Sequence, residues 1–305
     1  MCGKYMLTIM MLIAIGGVDC FGECHTMKQP LQDLLVELSM GDFIDKLTIL
    51  QIKTERIKDP IKLRNIYLEQ MFLNLIFKKT IKPSQEFEEL YERLLSVNKR
   101  LWELEDLTRI KEREQQFDDE FRDYVLEIIN NNDERARTKR VINELLGSSI
   151  VEEKSYTDLL ENSLDNDIKR SISQQKSMVI AVPTPLADLA DRITVLQIKQ
   201  SRIHDEIKLE HINNELSVLK ATLFNVVDDS DELAALLQDL RVANEEMWDV
   251  QDGLRACRRD ANIDDEFTKL GRGVYHANDK RGAVKRRINQ YFGSALVEEK
   301  SYALY

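Results

Sequence analysis

Asp42 and Asp45 stand three residues apart, and Lys53 and Arg56 follow them at the same spacing. On a helix turning 100° per residue these four side chains share about 80° of arc. The same residue types recur at Asp188, Asp191, Lys199 and Arg202. A second group, Asn98, Trp102, Asp106, Arg109 and Arg113, shares an arc of about the same width and recurs at Asn244, Trp248, Asp252, Arg255 and Arg259. The third group is Asn132, Arg135 and Lys139, which recurs as Asn278, Arg281 and Lys285. It interrupts an apolar stripe made by Phe121, Ile128, Ile142 and Leu146, matched by Phe267, Val274, Ile288 and Phe292. An unpaired buried charge costs several kcal/mol, comparable with the stability of a small domain, so these cations are either paired inside or line a cleft.

In one copy the three faces carry six bases (Lys53, Arg56, Arg109, Arg113, Arg135, Lys139) against three acids (Asp42, Asp45, Asp106), in a chain of formal charge −11. That contrast of sign predicts an anionic ligand, a phosphorylated or sugar-linked group. Arginine offers a planar fork for phosphate or carboxylate, and Trp102 offers a ring face to a base or sugar. The expected ligand-binding set is Asp45, Lys53, Arg56, Trp102, Asp106, Arg109, Asn132, Arg135 and Lys139, with Asp191, Lys199, Arg202, Trp248, Asp252, Arg255, Asn278, Arg281 and Lys285.

Two other classes compete. In the first, Asp45 and Asp106 hold Arg109 and Arg135 in an internal network, and the protein is a structural or partner-binding scaffold. In the second, Asp42-x-x-Asp45 and Glu103-x-x-Asp106, echoed by Asp188-x-x-Asp191 and Asp249-x-x-Asp252, hold Mg²⁺ for a nucleotide phosphohydrolase. That pattern resembles the all-helical nucleoside-triphosphate pyrophosphatases, which pair Glu-x-x-Glu with Glu-x-x-Asp across a shorter gap. No glycine-rich phosphate loop and no Ser-His-Asp or Cys-His arrangement is evident, so the reading leans away from an enzyme. No catalytic or metal residue is assigned, and no cofactor. Asp118, Asp119 and Glu120 suit the start of a helix, and Glu69 and Glu215 read as surface or pairing groups.

The elements that must position these residues are written twice. Sliding the chain by 146 positions aligns 36–156 with 182–302 without a gap. Roughly 45 of about 121 positions are identical, the mark of a tandem duplication. Each copy reads as four amphipathic helices, near 40–57, 61–79, 86–114 and 119–146 in the first. Ser39 with Asp42 resembles a capping box, and Pro60 ends the first helix. In the second copy Thr184-Pro185 reads as a cap followed by a first-turn proline. The long third helix carries Leu90, Leu94, Leu101 and Leu104 on one stripe, matched by Leu236, Leu240, Met247 and Val250. Gly147 and Gly293 supply left-handed stops. The expected fold is all-α: two tandem antiparallel helical-bundle modules of about four helices each, 36–156 and 182–302, joined by a polar linker at 157–181. The polar tail Val151–Tyr156 is expected to dock back on its own bundle.

Composition agrees. The chain of 305 residues is 32% charged with only 5 Pro, which favours helices. A net charge of −11 opposes general nucleic-acid binding, which rests on neutralising phosphates. Residues 1–22 read as a signal peptide: an early Lys4, an apolar run from Met6 to Val18 too short to span a bilayer, and small residues at Gly16, Gly17 and Gly22. A secretory location follows, lumenal or secreted, or a cytoplasmic one if the segment is not cleaved, with no stable membrane span after its removal. The stretch Cys20-x-x-x-Cys24-His25 has neither haem nor zinc spacing.

The stretches "IDKLTILQIKTERI", "LWELED" and "NDERARTKRVINELLGSSIVEEKSY" resemble a family of small, functionally uncharacterised, all-helical proteins best known in bacteria. Its members are usually one module of this repeat's length, with an LLGS-x-x-VEEKSY-type C-terminal signature. The resemblance implies a helical fold, no assigned activity, and a link to polysaccharide or glycan synthesis. Gly271 and Gly273 depart from the pattern in the second copy.

Overall fold

The computed structural model describes residues 34–148, 150 and 179–294. In chain order these form β1 (Leu35–Leu38), α1 (Met40–Arg56), α2 (Pro60–Thr80), α3 (Gln85–Glu114) and α4 (Asp119–Leu145). After the undescribed stretch come β2 (Ile180–Pro183), α5 (Leu186–Arg202), α6 (Glu206–Val226), α7 (Asp231–Arg259) and α8 (Asp265–Tyr291). Apart from one two-stranded sheet, the described residues are all-α. The expected signal peptide at 1–22, the tail from Val151 and most of the expected linker lie outside them.

The helices start where side chains can take up orphan backbone donors. Ser39 accepts from Asp42 N as half of the expected box, but the Asp42 carboxylate takes the Ser39 hydroxyl at 2.7 Å, not its backbone N–H. Asp59 caps α2 ahead of Pro60, and Ser84 and Asp118 cap α3 and α4. Asp205, Ser230 and Asp264 do the same in the second half. The expected Thr184 cap is wrong: Pro185 holds the N-cap position of α5 with no side-chain bond, and Thr184 Oγ1 donates to Val182 O at 3.1 Å. A tertiary acceptor serves this end instead, since Ala187 N donates to Asn289 Oδ1 at 3.0 Å. At the other ends Gly147 (φ +64°) and Gly293 (φ +62°) turn left-handed as expected. Ser148 N then reaches Asn143 O at 2.8 Å, and Ser294 N reaches Asn289 O at the same distance.

In the first half α1 packs on α2, α3 and α4, and α3 runs along α4; in the second, α5 packs on α6, α7 and α8, and α7 runs along α8. The sequence expectation missed the sheet, and Ile180 and Ala181, assigned to the linker, belong to its second strand. β1 and β2 pair antiparallel with Val36 opposite Val182, its own counterpart 146 residues on. The strands cross over in packing: Leu34 and Val36 sit in the core of α5–α8, while Ile180 and Val182 sit in the core of α1–α4. A third cluster joins the halves, with Phe121, Val125 and Ile129 against Leu254, Phe267 and Tyr275.

One close approach sets the depth of α1. A Cβ on Gly41 would lie 2.4 Å from Lys139 O, so the first turn of α1 touches the backbone of α4. The Gly41 N to Asn143 Oδ1 bond is 2.6 Å, against 3.0 Å for the Ala187 equivalent. Gly41→Ala should cost about 1–3 kcal/mol by overpacking, while Ala187→Gly should cost only about 1 kcal/mol through backbone entropy. Urea denaturation of both variants measures the difference, and equal effects would contradict the contact.

Candidate functional site

Asp45 lies on the inner face of α1 and is 6% exposed. Arg135 on α4 grips it with Nε at 2.8 Å and Nη2 at 2.5 Å. Asn98 Nδ2 on α3 donates to Asp45 Oδ1 and to Thr48 Oγ1, each at 2.9 Å. One turn away Lys139 Nζ meets Asp42 Oδ1 at 2.6 Å. The second half repeats the arrangement: Arg281 forks onto Asp191, Asn244 bonds Asp191 and Thr194, and Lys285 meets Asp188 at 2.8 Å. Burial pushes the Asp45 carboxyl up, but the charges of Arg135 and Lys139 and the Arg135 and Asn98 hydrogen bonds outweigh it. The net result lies below the usual carboxylate range, and Asp191 is lowered by the same contest. The cations that interrupt the apolar stripe of α4 and α8 therefore meet carboxylates of α1 and α5.

These pairs frame a cleft of about 420 Å³ where the two halves meet. Asp42, Asp45, Lys46, Lys53 and Glu69 line it from one side, and their counterparts Asp188, Asp191, Arg192, Lys199 and Glu215 from the other, with Arg281 and Lys285. Val36, Leu50 and Leu196 contribute apolar wall. Lys46 pairs with Glu69 at 2.7 Å and Arg192 with Glu215 at 2.6 Å. All six lining carboxylates thus have a cation at ion-pair distance. Lys53 and Lys199, each 8% exposed, line the cleft as well. Lys46 and Arg192 were not foreseen; the signal was a positive charge kept in both copies four residues after an aspartate.

A second cleft of about 290 Å³ lies between α4, α7 and α8 and gathers Asn132, Arg135, Lys139 and Arg255. Six of the expected residues therefore line the first cleft and four the second. The others line neither. Arg56 pairs with Glu103 at 2.9 Å on the surface. Arg202 pairs with Asp249, and its guanidinium lies 5.7 Å from the Trp248 ring centre. Trp102 is half-buried on α3; burial raises the carboxyl of Asp106, opposed by the charges of Arg56 and Arg109. Arg109 is buried against Asp279 of the other half at 3.0 Å, and Asp252 lies 3.7 Å from Arg255. Asn278 is half-buried on α8. The structure thus does not place either tryptophan beside Arg135 or Arg281 in a cleft.

The carboxylates of the proposed magnesium pattern mostly face cations: Asp42, Asp45, Asp188 and Asp191 as above, Glu103 with Arg56 and Asp249 with Arg202. Among the described residues no group of three His, Cys, Asp or Glu is placed to hold a metal ion. No described helix is long and apolar enough to cross a membrane.

Residues 34–166 match the model of a family of unknown function, DUF6165. The match spans less than half of the chain and agrees with a likeness to an uncharacterised helical family. No curated protein and no solved structure matches the chain.

Proposed function

We propose that the chain is a duplicated module acting as a non-catalytic binding or accessory protein, whose central cleft holds a phosphorylated or sugar-linked anion through Lys53 and Lys199. The observation that supports this reading is the cleft itself, which brings buried Lys53 and Lys199 together with Lys46, Arg192, Arg281 and Lys285 around one space. Arg135, Arg281, Lys139 and Lys285 then serve as its frame. A volume of about 420 Å³ falls within the roughly 300–1,000 Å³ of small-molecule sites. Entry into the secretory route through residues 1–22 and a part in glycan synthesis, implied by the family likeness, complete the proposal.

The forked Arg135–Asp45 and Arg281–Asp191 pairs equally support the scaffold alternative, in which the same groups only stabilise the fold. The two readings part at the lysines. Glucose 1-phosphate and UDP-glucose, each with and without Mg²⁺, should raise the melting temperature of the wild-type chain saturably. Lys53→Gln with Lys199→Gln should weaken that binding at least tenfold by calorimetry while the chain stays folded. No response of the wild type to either compound, or undiminished binding by the double variant, would leave the scaffold reading standing.

A further inference from the structure

The residues 146 positions away from those that line the second cleft are tied up differently, and the reason is chemical. At the related place Arg109 bonds Asp279, and Tyr275 Oη donates to Thr108 Oγ1. The counterparts of Tyr275 and Thr108 are Ile129 and Leu254, which make no such bond and instead form apolar wall. Asp133, the counterpart of Asp279, is taken by Arg258 at 2.9 Å. Arg255, the counterpart of Arg109, borders the cleft and lies 3.7 Å from Asp252 of its own helix. Position 271 is Gly where the first half has Val125; a Cβ there would lie 2.9 Å from the Val125 side chain and 3.4 Å from Phe121. Both Gly271 and Val125 line the cleft.

The result is a two-sided chamber. Arg135, Lys139 and Arg255 border it, with Asn132 and Gln251, and no carboxylate is among its described lining residues. Asp45 and Asp42, which bond Arg135 and Lys139, line the central cleft instead. Ile128, Ile129, Leu254 and Val274 supply apolar surface. Three cations beside such a wall suit an anionic head joined to an apolar body, since the head meets charge and the body leaves water.

We infer that this cleft is a separate binding site for a small phosphate monoester or carboxylate that carries an aromatic or aliphatic body. It does not depend on the central cleft having a ligand.

The test titrates phenyl phosphate, inorganic phosphate and benzyl alcohol into the full chain, read by calorimetry and ligand-observed NMR. Phenyl phosphate should bind at least tenfold more tightly than either fragment. Arg255→Gln, which removes one cation, and Ala136→Met, which fills half-buried space in the cleft, should each weaken it at least tenfold, and Arg255→Lys should recover part of the loss. Circular dichroism checks that each variant folds. Should Arg255→Gln fail to fold, Ala136→Met alone decides. Three results would overturn the inference: no binding of phenyl phosphate at millimolar concentration, inorganic phosphate binding as tightly, or binding unchanged in Ala136→Met. Loss of phenyl phosphate binding in Lys53→Gln/Lys199→Gln but not in Arg255→Gln would place the probe in the central cleft and equally overturn it.

Discussion

Asp45→Asn should destabilise the folded chain by about 3 kcal/mol, the lower end of the range for breaking a buried ion pair. Asp45 is nearly fully buried, whereas the Arg135 side chain keeps 30% of its exposure, so water recovers part of the loss. The amide can still accept one bond from Arg135 or Asn98, but the guanidinium loses its counter-charge. Asp191→Asn should cost a similar amount, and Asp45→Leu with Arg135→Met should cost less than either break, because no charge is left stranded. The pH dependence has a definite sign. Both carboxyls are held below the ordinary aspartate range in the folded chain, and return to about 3.9 when unfolded. Their contribution is therefore complete above the unfolded value and is lost as pH falls through the lower, folded value. Wild-type stability, measured by urea denaturation, should fall on acidification below about pH 4. The double Asn variant should show a shallower decline there. A variant as stable as wild type at neutral pH, or one with the same acid slope, would mean that the forked pairs contribute nothing net.

How much of this was legible beforehand depends on the reach of each signal. Ser39, Gly147 and Gly293 act within a few residues, and they marked helix ends correctly. The leucine stripe of α3 is periodic, and its Leu94, Leu101 and Leu104 are buried as the spacing predicts. The strands were invisible for the opposite reason. Leu35–Leu38 alternates over only four residues, and its partner lies 146 positions away, so nothing local announces the pairing. Thr184 looked like a cap because Pro185 follows it, but a strand with a distant partner ends there.

The site was half legible. Cations inside an apolar stripe had to find acids or a cleft, and Arg135 found Asp45. A shared arc on one helix, however, specifies a face and not the element opposite it. Trp102 and Arg109 share an arc, yet Trp102 lines neither cleft while Arg109 crosses to Asp279. Treating the copies as equivalents also hid the places where they diverge. Glu112 of the first half corresponds to Arg258 of the second, and each makes its ion pair across the join, with Arg272 at 3.1 Å and Asp133 at 2.9 Å. Those pairs exist because the halves differ.

That join leads to the expectation that the two halves unfold as one. Phe267→Ala should cost about 3–5 kcal/mol, the usual range for emptying a fully buried aromatic site. Phe267 is 0% exposed and packs with Phe121 and Val125 of the first half as well as with Leu254 of its own. The cavity would therefore open at the contact between halves, not inside one bundle. Each half also depends on a strand from the other, since Leu34 and Val36 complete the second core while Ile180 and Val182 complete the first. Neither bundle can lose its partner without exposing apolar surface, which is the physical basis for a single cooperative transition. The chain carries its own reporters: Trp102 lies on α3 and Trp248 on α7, and they are its two tryptophans. In Trp102→Phe and Trp248→Phe backgrounds the remaining indole follows one half at a time. Wild-type curves from the two backgrounds should coincide, and Phe267→Ala should lower both midpoints together. If only the Trp248 transition moved, the halves would be independent bundles. The exchanged strands and the shared aromatic cluster would then contribute little, and a cleft built at their meeting would lack a stable frame.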